Sequence, residues 1–217
     1  MTESMEVHIT SAQRTATAAI KRICSYSKAF NKKNHTHCPD MLFYMDDLFY
    51  AFCPYYGVRL RWNPTYLDAE HTCYAHWAVS FDKVLNETRT SFTEITSYIP
   101  KLKQLRLYEK AYKTANENPC CMDAGGVPMF IGDELINTRY LYDLLKLLPD
   151  ARVFVESDKM CHAILFISCA GRGMLIPILP LGAVNGEEDF KKNYGTVNPP
   201  RHPENVFYNK SLTRYMI

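Results

Sequence analysis

Apolar residues first recur at helical spacing near the start of the chain. Ala16, Ile20, Ile23 and Phe30 share one face, which predicts a helix over Ser11–Phe30. Asn31–Asp40 is polar and ends in Pro39-Asp40, so it reads as a loop. Met41–Trp62 is rich in aromatic and β-forming residues. It is divided at Asp46-Asp47 and again over Pro54–Gly57, which predicts two or three strands joined by turns. Cys73–Phe81 alternates Tyr74, His76, Ala78 and Ser80 with Ala75, Trp77, Val79 and Phe81, the pattern of a further strand.

The second half repeats this order of helix and then strands. A helix is predicted over Lys101–Ala115, just after Pro100, and is broken by Pro119 and Gly125-Gly126. Met129–Ile136 reads as a short strand or hairpin. Asn137 is placed to cap a third helix, Thr138–Leu148, which stops at Pro149. Strands are expected at Arg152–Glu156, His162–Ser168 and Met174–Leu179, with turns at Ser157-Asp158 and Ala170–Gly173. The stretch from Gly182 onward is rich in Asn, Pro and Lys and reads as an extended surface arm. Two loosely related half-units are consistent with this pattern.

Composition narrows the class. At 217 residues with 47% hydrophobic and 22% charged positions, the chain can bury a sizeable core. A net charge of +2 gives no global nucleic-acid signal, so any such surface must be local. No apolar run approaches the roughly 18 residues a membrane helix needs. Met1–Val7 carries two glutamates and no apolar centre, unlike an export signal. The expected compartment is the cytoplasm, with the eight cysteines as free thiols. Cys24, Cys161 and Cys169 lie in apolar stretches and read as small core residues.

Local charge does collect on the helices. Arg14, Lys21 and Lys28 are seven apart, so they return to within about 20° of one line along the first helix. Lys103, Arg106, Lys110 and Lys113 share a face of the second, opposite Leu105, Tyr108 and Tyr112. Arg139 and Lys146 stand off the apolar side of the third, which carries Leu141, Leu144, Leu145 and Leu148. One such stripe is commonly just a solvated face. Three together, with few carboxylates among them, suit a phosphate backbone, where cationic contacts carry no sequence information and permit sliding.

Other clusters carry less. His35, His37 and Cys38, and separately Cys120-Cys121, include zinc-ligand types but lack C-x-x-C spacing; His71, Cys73 and His76 are weaker still. Asp46-Asp47 reads as a hairpin turn rather than a carboxylate metal pair. Ser168–Gly173 reads as a β-turn, since no helix follows it to hold a phosphate. No catalytic residue, metal or cofactor is expected.

The third helix carries the most specific pattern. Ile136-Asn137-Thr138-Arg139-Tyr140-Leu141-Tyr142-Asp143-Leu144-Leu145 resembles the F-N-x-x-Y-L-x-D-A-L segment of the bacterial DNA polymerase III β subunit, the sliding clamp. Val153–Glu156, Ala163–Ser168 and Met174–Ile178 follow in that family's order. In the first half, Met41–Tyr44 and then Tyr55-Tyr56-Gly57-Val58-Arg59-Leu60 stand where clamps carry a strand pair and A-T-D-G-H-R-L, with Tyr56 in place of its Asp. Ser91–Ile95 through Ile99-Pro100 is similar to the interdomain F-P-D-Y…I-P. Ile176-Pro177-Ile178-Leu179 replaces the terminal M-P-M-R strand, and the chain runs on to Ile217.

The resemblance implies an α/β (α+β) fold with helices packed on a curved antiparallel sheet. It divides the chain into a clamp-like half (1–100), a helical insertion and linker (101–126), a second clamp-like half (127–181) and a tail (182–217). It also implies a replication accessory without catalysis, a processivity or tethering factor that binds double-stranded DNA non-specifically. Polymerase or clamp-loader peptides and further copies of the chain would be its other partners; no membrane is involved. One such domain cannot encircle a duplex, so a ring would need several chains joined edge to edge. A clamp-fold interaction module (a decoy or mobile-element accessory factor) and a metal-dependent hydrolase are the alternative functions.

Overall fold

The computed structural model describes residues 11–34, 41–45, 47–61, 92–95, 100–115, 125–131, 134–156 and 163–177. The first helix, α1, spans Ser11–Asn34 and buries Ala16, Ala19, Ile20 and Ile23. It runs past Phe30 into the segment expected to be a loop. Lys32 and Lys33 lie in its last turn, where cations suit the negative end of the helix dipole.

Three strands follow: β1 Met41–Met45, β2 Leu48–Phe52 and β3 Tyr56–Leu60. They form an antiparallel meander, as their turn signals predict. Asp47 takes φ 59° in the first turn, a conformation Asp tolerates. β4, Phe92–Glu94, comes next, then helix α2, Leu102–Ala115. The hairpin of β5, Pro128–Ile131, and β6, Glu134–Asn137, leads into helix α3, Thr138–Leu147. β7 Arg152–Glu156, β8 Ile164–Ile167 and β9 Gly171–Leu175 complete the described chain.

Seven strands form one antiparallel sheet in the order β1-β2-β3-β9-β8-β7-β4. The order is nearly palindromic. Three strands following α1 meet three strands following α3 at the β3–β9 pair, and β4 is added outside β7. This is the doubled helix-then-strands pattern of the sequence realised in space. β4, placed in the first half by sequence, sits on the edge of the second.

Register fixes which face meets the helices. Phe49, Ala51, Val58, Leu60, Gly171, Gly173, Ile164, Phe166 and Val153 lie on one face through successive cross-strand pairs. Apart from the two glycines, their side chains join those of α1, α2 and α3 in a single core cluster.

The last strand departs from expectation. β9 begins at Gly171, not Met174, because the turn needs only Cys169-Ala170: the Ser168 and Gly171 amides each donate to the other's carbonyl, at 2.9 and 3.3 Å. The glycines belong to close packing instead. A Cβ on Gly171 would stand 2.2 Å from the Arg59 carbonyl oxygen, and one on Gly173 would stand 2.9 Å from both Leu144 Cδ2 and Leu148 Cδ1. β8 is also shorter than expected. Cys169, expected in the core, is exposed at the turn, whereas Cys53 is buried and Cys24 half-buried. These three cysteines are free thiols. The strand expected at Cys73–Phe81, the turn at Ser157-Asp158, Cys161, the His/Cys clusters and the tail lie outside the described residues.

Candidate nucleic-acid interface

α3 is the middle helix of its layer. Its Leu144 and Leu148 approach the sheet at Gly173. Tyr140 and Asp143 meet α1, while Arg139 and Tyr142 meet α2. Asn137 caps it as expected, its Oδ1 accepting the Arg139 amide at 2.9 Å. Gly126 is required beside that cap, since a Cβ there would fall 1.8 Å from Asn137 Oδ1.

The α1–α3 seam is built on a buried carboxylate. Asp143 is fully buried, and Arg22 Nε donates to its two oxygens at 2.7 and 2.9 Å, with Nη2 also bonded to Oδ1. The Tyr56 hydroxyl donates at 3.1 Å and that of Tyr26 at 3.4 Å. All of these donors come from α1 or β3, so the cluster fastens the first αβββ unit to the second. The bond to Asp143 raises the Arg22 pKa further. Burial first, and then the Asp143 charge, push both tyrosine hydroxyls upward. Tyr55 stacks on Tyr140 at 4.9 Å and Tyr140 on Tyr56 at 5.3 Å, while Phe30 meets Tyr55 edge-on. A carboxylate this enclosed and this fully engaged suits a structural lock.

The α2–α3 seam is also polar. Glu109, 8% exposed, accepts from Thr138 Oγ1 at 2.8 Å and pairs with Arg139 at 3.2 Å. Further along, Arg106 and Lys146 stand over the Tyr142 ring, 5.1 and 4.4 Å from its centroid. The contacts of Glu109 with Arg139 and of Arg106 with Tyr142, further along α3, set the two helices antiparallel.

These seams sort the cations read from the sequence. Arg14, Lys21 and Lys28 are exposed along α1, and Lys103, Arg106 and Lys110 along α2. Lys113 is half-buried and donates to the Gly125 carbonyl at 2.7 Å. Arg139 and Lys146 do not stand on an open helix face. Both are half-buried in the seam with α2, and Arg139 is held by Glu109. α1 contains no carboxylate, α2 only Glu109 and α3 only Asp143. Both acids are buried and paired, so every exposed charge on the three helices is positive.

No family model, curated protein or solved structure matches this chain.

Sequence reasoning marked Asp143 within a motif and left Arg22 and Glu109 unassigned. The signal for Arg22 was its i, i+4, i+8 alignment with Tyr26 and Phe30; for Glu109 it was a place beside Tyr108 on an otherwise apolar face. Among the described residues no group of three or more His, Cys, Asp or Glu could hold a metal ion, and no helix is long and apolar enough to cross a membrane.

Proposed function

We propose that this chain is a DNA-tethering protein without catalysis of its own, a sliding-clamp-like processivity factor built on a doubled αβββ unit. The carrying observation is the sign of the exposed helix charge. Burial of Glu109 and Asp143 leaves the exposed charges of α1 (Arg14, Lys21 and Lys28 among them) and of α2 (Lys103, Arg106 and Lys110) all positive. Such a surface attracts phosphates of any sequence. The continuous sheet behind the helices supplies a rigid back, and its edges, β1 and β4, are where further chains would join to close around a duplex.

The test is fluorescence anisotropy of a labelled duplex titrated with the protein between about 50 and 200 mM salt. Six phosphate contacts give a slope of log K against log salt of about −5. Two duplexes of unrelated sequence bind alike. Absent binding at the lowest salt, or a slope near zero, refutes the proposal. Light-scattering mass with and without duplex then tells ring closure from binding by a single copy.

A further inference from the structure

The antiparallel seam of α2 and α3 opens, at the start of α2 and the end of α3, into a hollow of about 640 Å³. Leu102, Leu145 and Pro149 give it apolar walls, and Lys101 and Lys103 give it a cationic rim. Asp150 also lines it, but that carboxylate is engaged by the Ser168 hydroxyl and by the Cys169 thiol at 3.0 Å. One helical turn along the seam, Arg106 and Lys146 reach from different helices to the same Tyr142 ring. Neither cation forms an ion pair with a carboxylate among the described residues. Their distances to the ring centre keep the two charges within about one Debye length, roughly 8–10 Å, so they repel unless an anion sits between them.

We propose that this seam holds a discrete phosphate site: Arg106 and Lys146 grip the phosphate of one nucleotide unit above Tyr142, and the hollow beside them takes the sugar and base. The inference rests on the nucleic-acid reading and deepens it by adding one anchored contact to the diffuse charged face. Three features support it. The guanidinium offers paired donors matched to phosphate oxygens. Tyr142, 6% exposed, fixes both cations in place before a ligand arrives. The hollow falls within the ordinary size range of small-ligand sites. The phosphate could belong to a free nucleotide or to a nucleic-acid strand, and the ligands of the test separate the two.

The full chain is titrated by NMR with adenosine 5′-monophosphate, adenosine, inorganic phosphate and a short oligothymidylate. Wild type binds the nucleotide at least about tenfold more tightly than adenosine or inorganic phosphate, since each lacks half of the contacts. Arg106→Gln with Lys146→Gln weakens nucleotide binding about tenfold or more, and Lys103→Gln weakens it less. Arg61→Gln, exposed at the end of β3, changes nothing. Oligothymidylate binding more tightly than the mononucleotide, and equally sensitive to the paired substitution, assigns the site to a strand; the reverse preference assigns it to free nucleotides. Nucleotide binding untouched by the paired substitution, or inorganic phosphate binding as tightly as the nucleotide, overturns the proposal. Duplex binding with its salt slope intact beside either result shows the seam site failing alone. Nucleotide binding without any duplex binding shows the tethering function failing alone.

Discussion

At the scale of single residues, the Arg22–Asp143 pair is asymmetric. Asp143 is fully buried, whereas about a third of the Arg22 side chain reaches solvent. Removing Arg22 therefore strands a carboxylate in the interior, while removing Asp143 leaves a guanidinium that water can reach. Arg22→Ala is expected to destabilise by about 3–5 kcal/mol and Asp143→Ala by less, read from urea denaturation. The opposite ranking would mean that Asp143 is not the enclosed partner. Tyr56→Phe, which removes one donor to this charged carboxylate, costs about 1.5–3 kcal/mol. The same interior sets an alkaline limit. Burial pushes the Cys53 thiol from 9.0 up to about 12, and holds the Tyr56 and Tyr108 hydroxyls well above 10.0. A raised pKa means that the unfolded chain gives up these protons first. The stability tied to them is complete below pH 9 and is lost as pH climbs from there through the folded values. Cys53 alone accounts for about 1 kcal/mol lost between pH 9 and 10. Urea midpoints should fall over that interval, and fall less steeply in Cys53→Ala; an unchanged slope in that variant would remove Cys53 as a cause.

At the scale of elements, packing at β9 gives a graded test of the sheet. Both Gly171 and Gly173 face close neighbours, but those neighbours differ in how far they yield. Gly173→Ala meets the ends of Leu144 and Leu148, which can shift at a cost of about 1–3 kcal/mol. Gly171→Ala meets the Arg59 carbonyl, which is held in the β3–β9 ladder, so it should cost more and raise amide exchange in β3 and β9 together. Equal costs would mean that this ladder is not rigid. The same pair shows where sequence reading stops. Periodicity made α1, α2, α3 and the β1–β3 meander legible, because each has an apolar face that local spacing reveals. The Asn137 cap was legible for the same reason, a local bond. Gly171 and Gly173 looked like turn residues because their requirement comes from β3 and α3, far away in the chain. β4 is three residues long and carries no pattern of its own, and its place beside β7 is a tertiary fact. The cationic stripes were legible as stripes. Which of them stay open was not, since Arg139 and Lys146 are drawn into a seam by Glu109 and Tyr142.

At the scale of the whole molecule, charge is distributed by burial rather than by composition. A net charge of +2 hides a helix layer whose exposed charges are all positive, because its two acids hold the helices together. That arrangement makes the contributions of separate helices measurable. Arg14, Lys21 and Lys28 occupy α1 alone, and Arg106 and Lys146 lie in the α2–α3 seam on the other side of α3. If both surfaces lie against one duplex, each lost contact lowers the magnitude of the salt slope by about 0.9. Replacing the α1 triplet with Gln should then reduce it by about 3, and replacing the seam pair, which grips a single phosphate, by about 1. The combined variant should lose the sum, since the groups sit too far apart to share a phosphate. If instead only one surface touches DNA, one set of substitutions will leave the slope where it was. A combined loss well below the sum would mean that the duplex moves to the remaining cations. In that case the helix layer is an electrostatic field rather than a wall with fixed contacts.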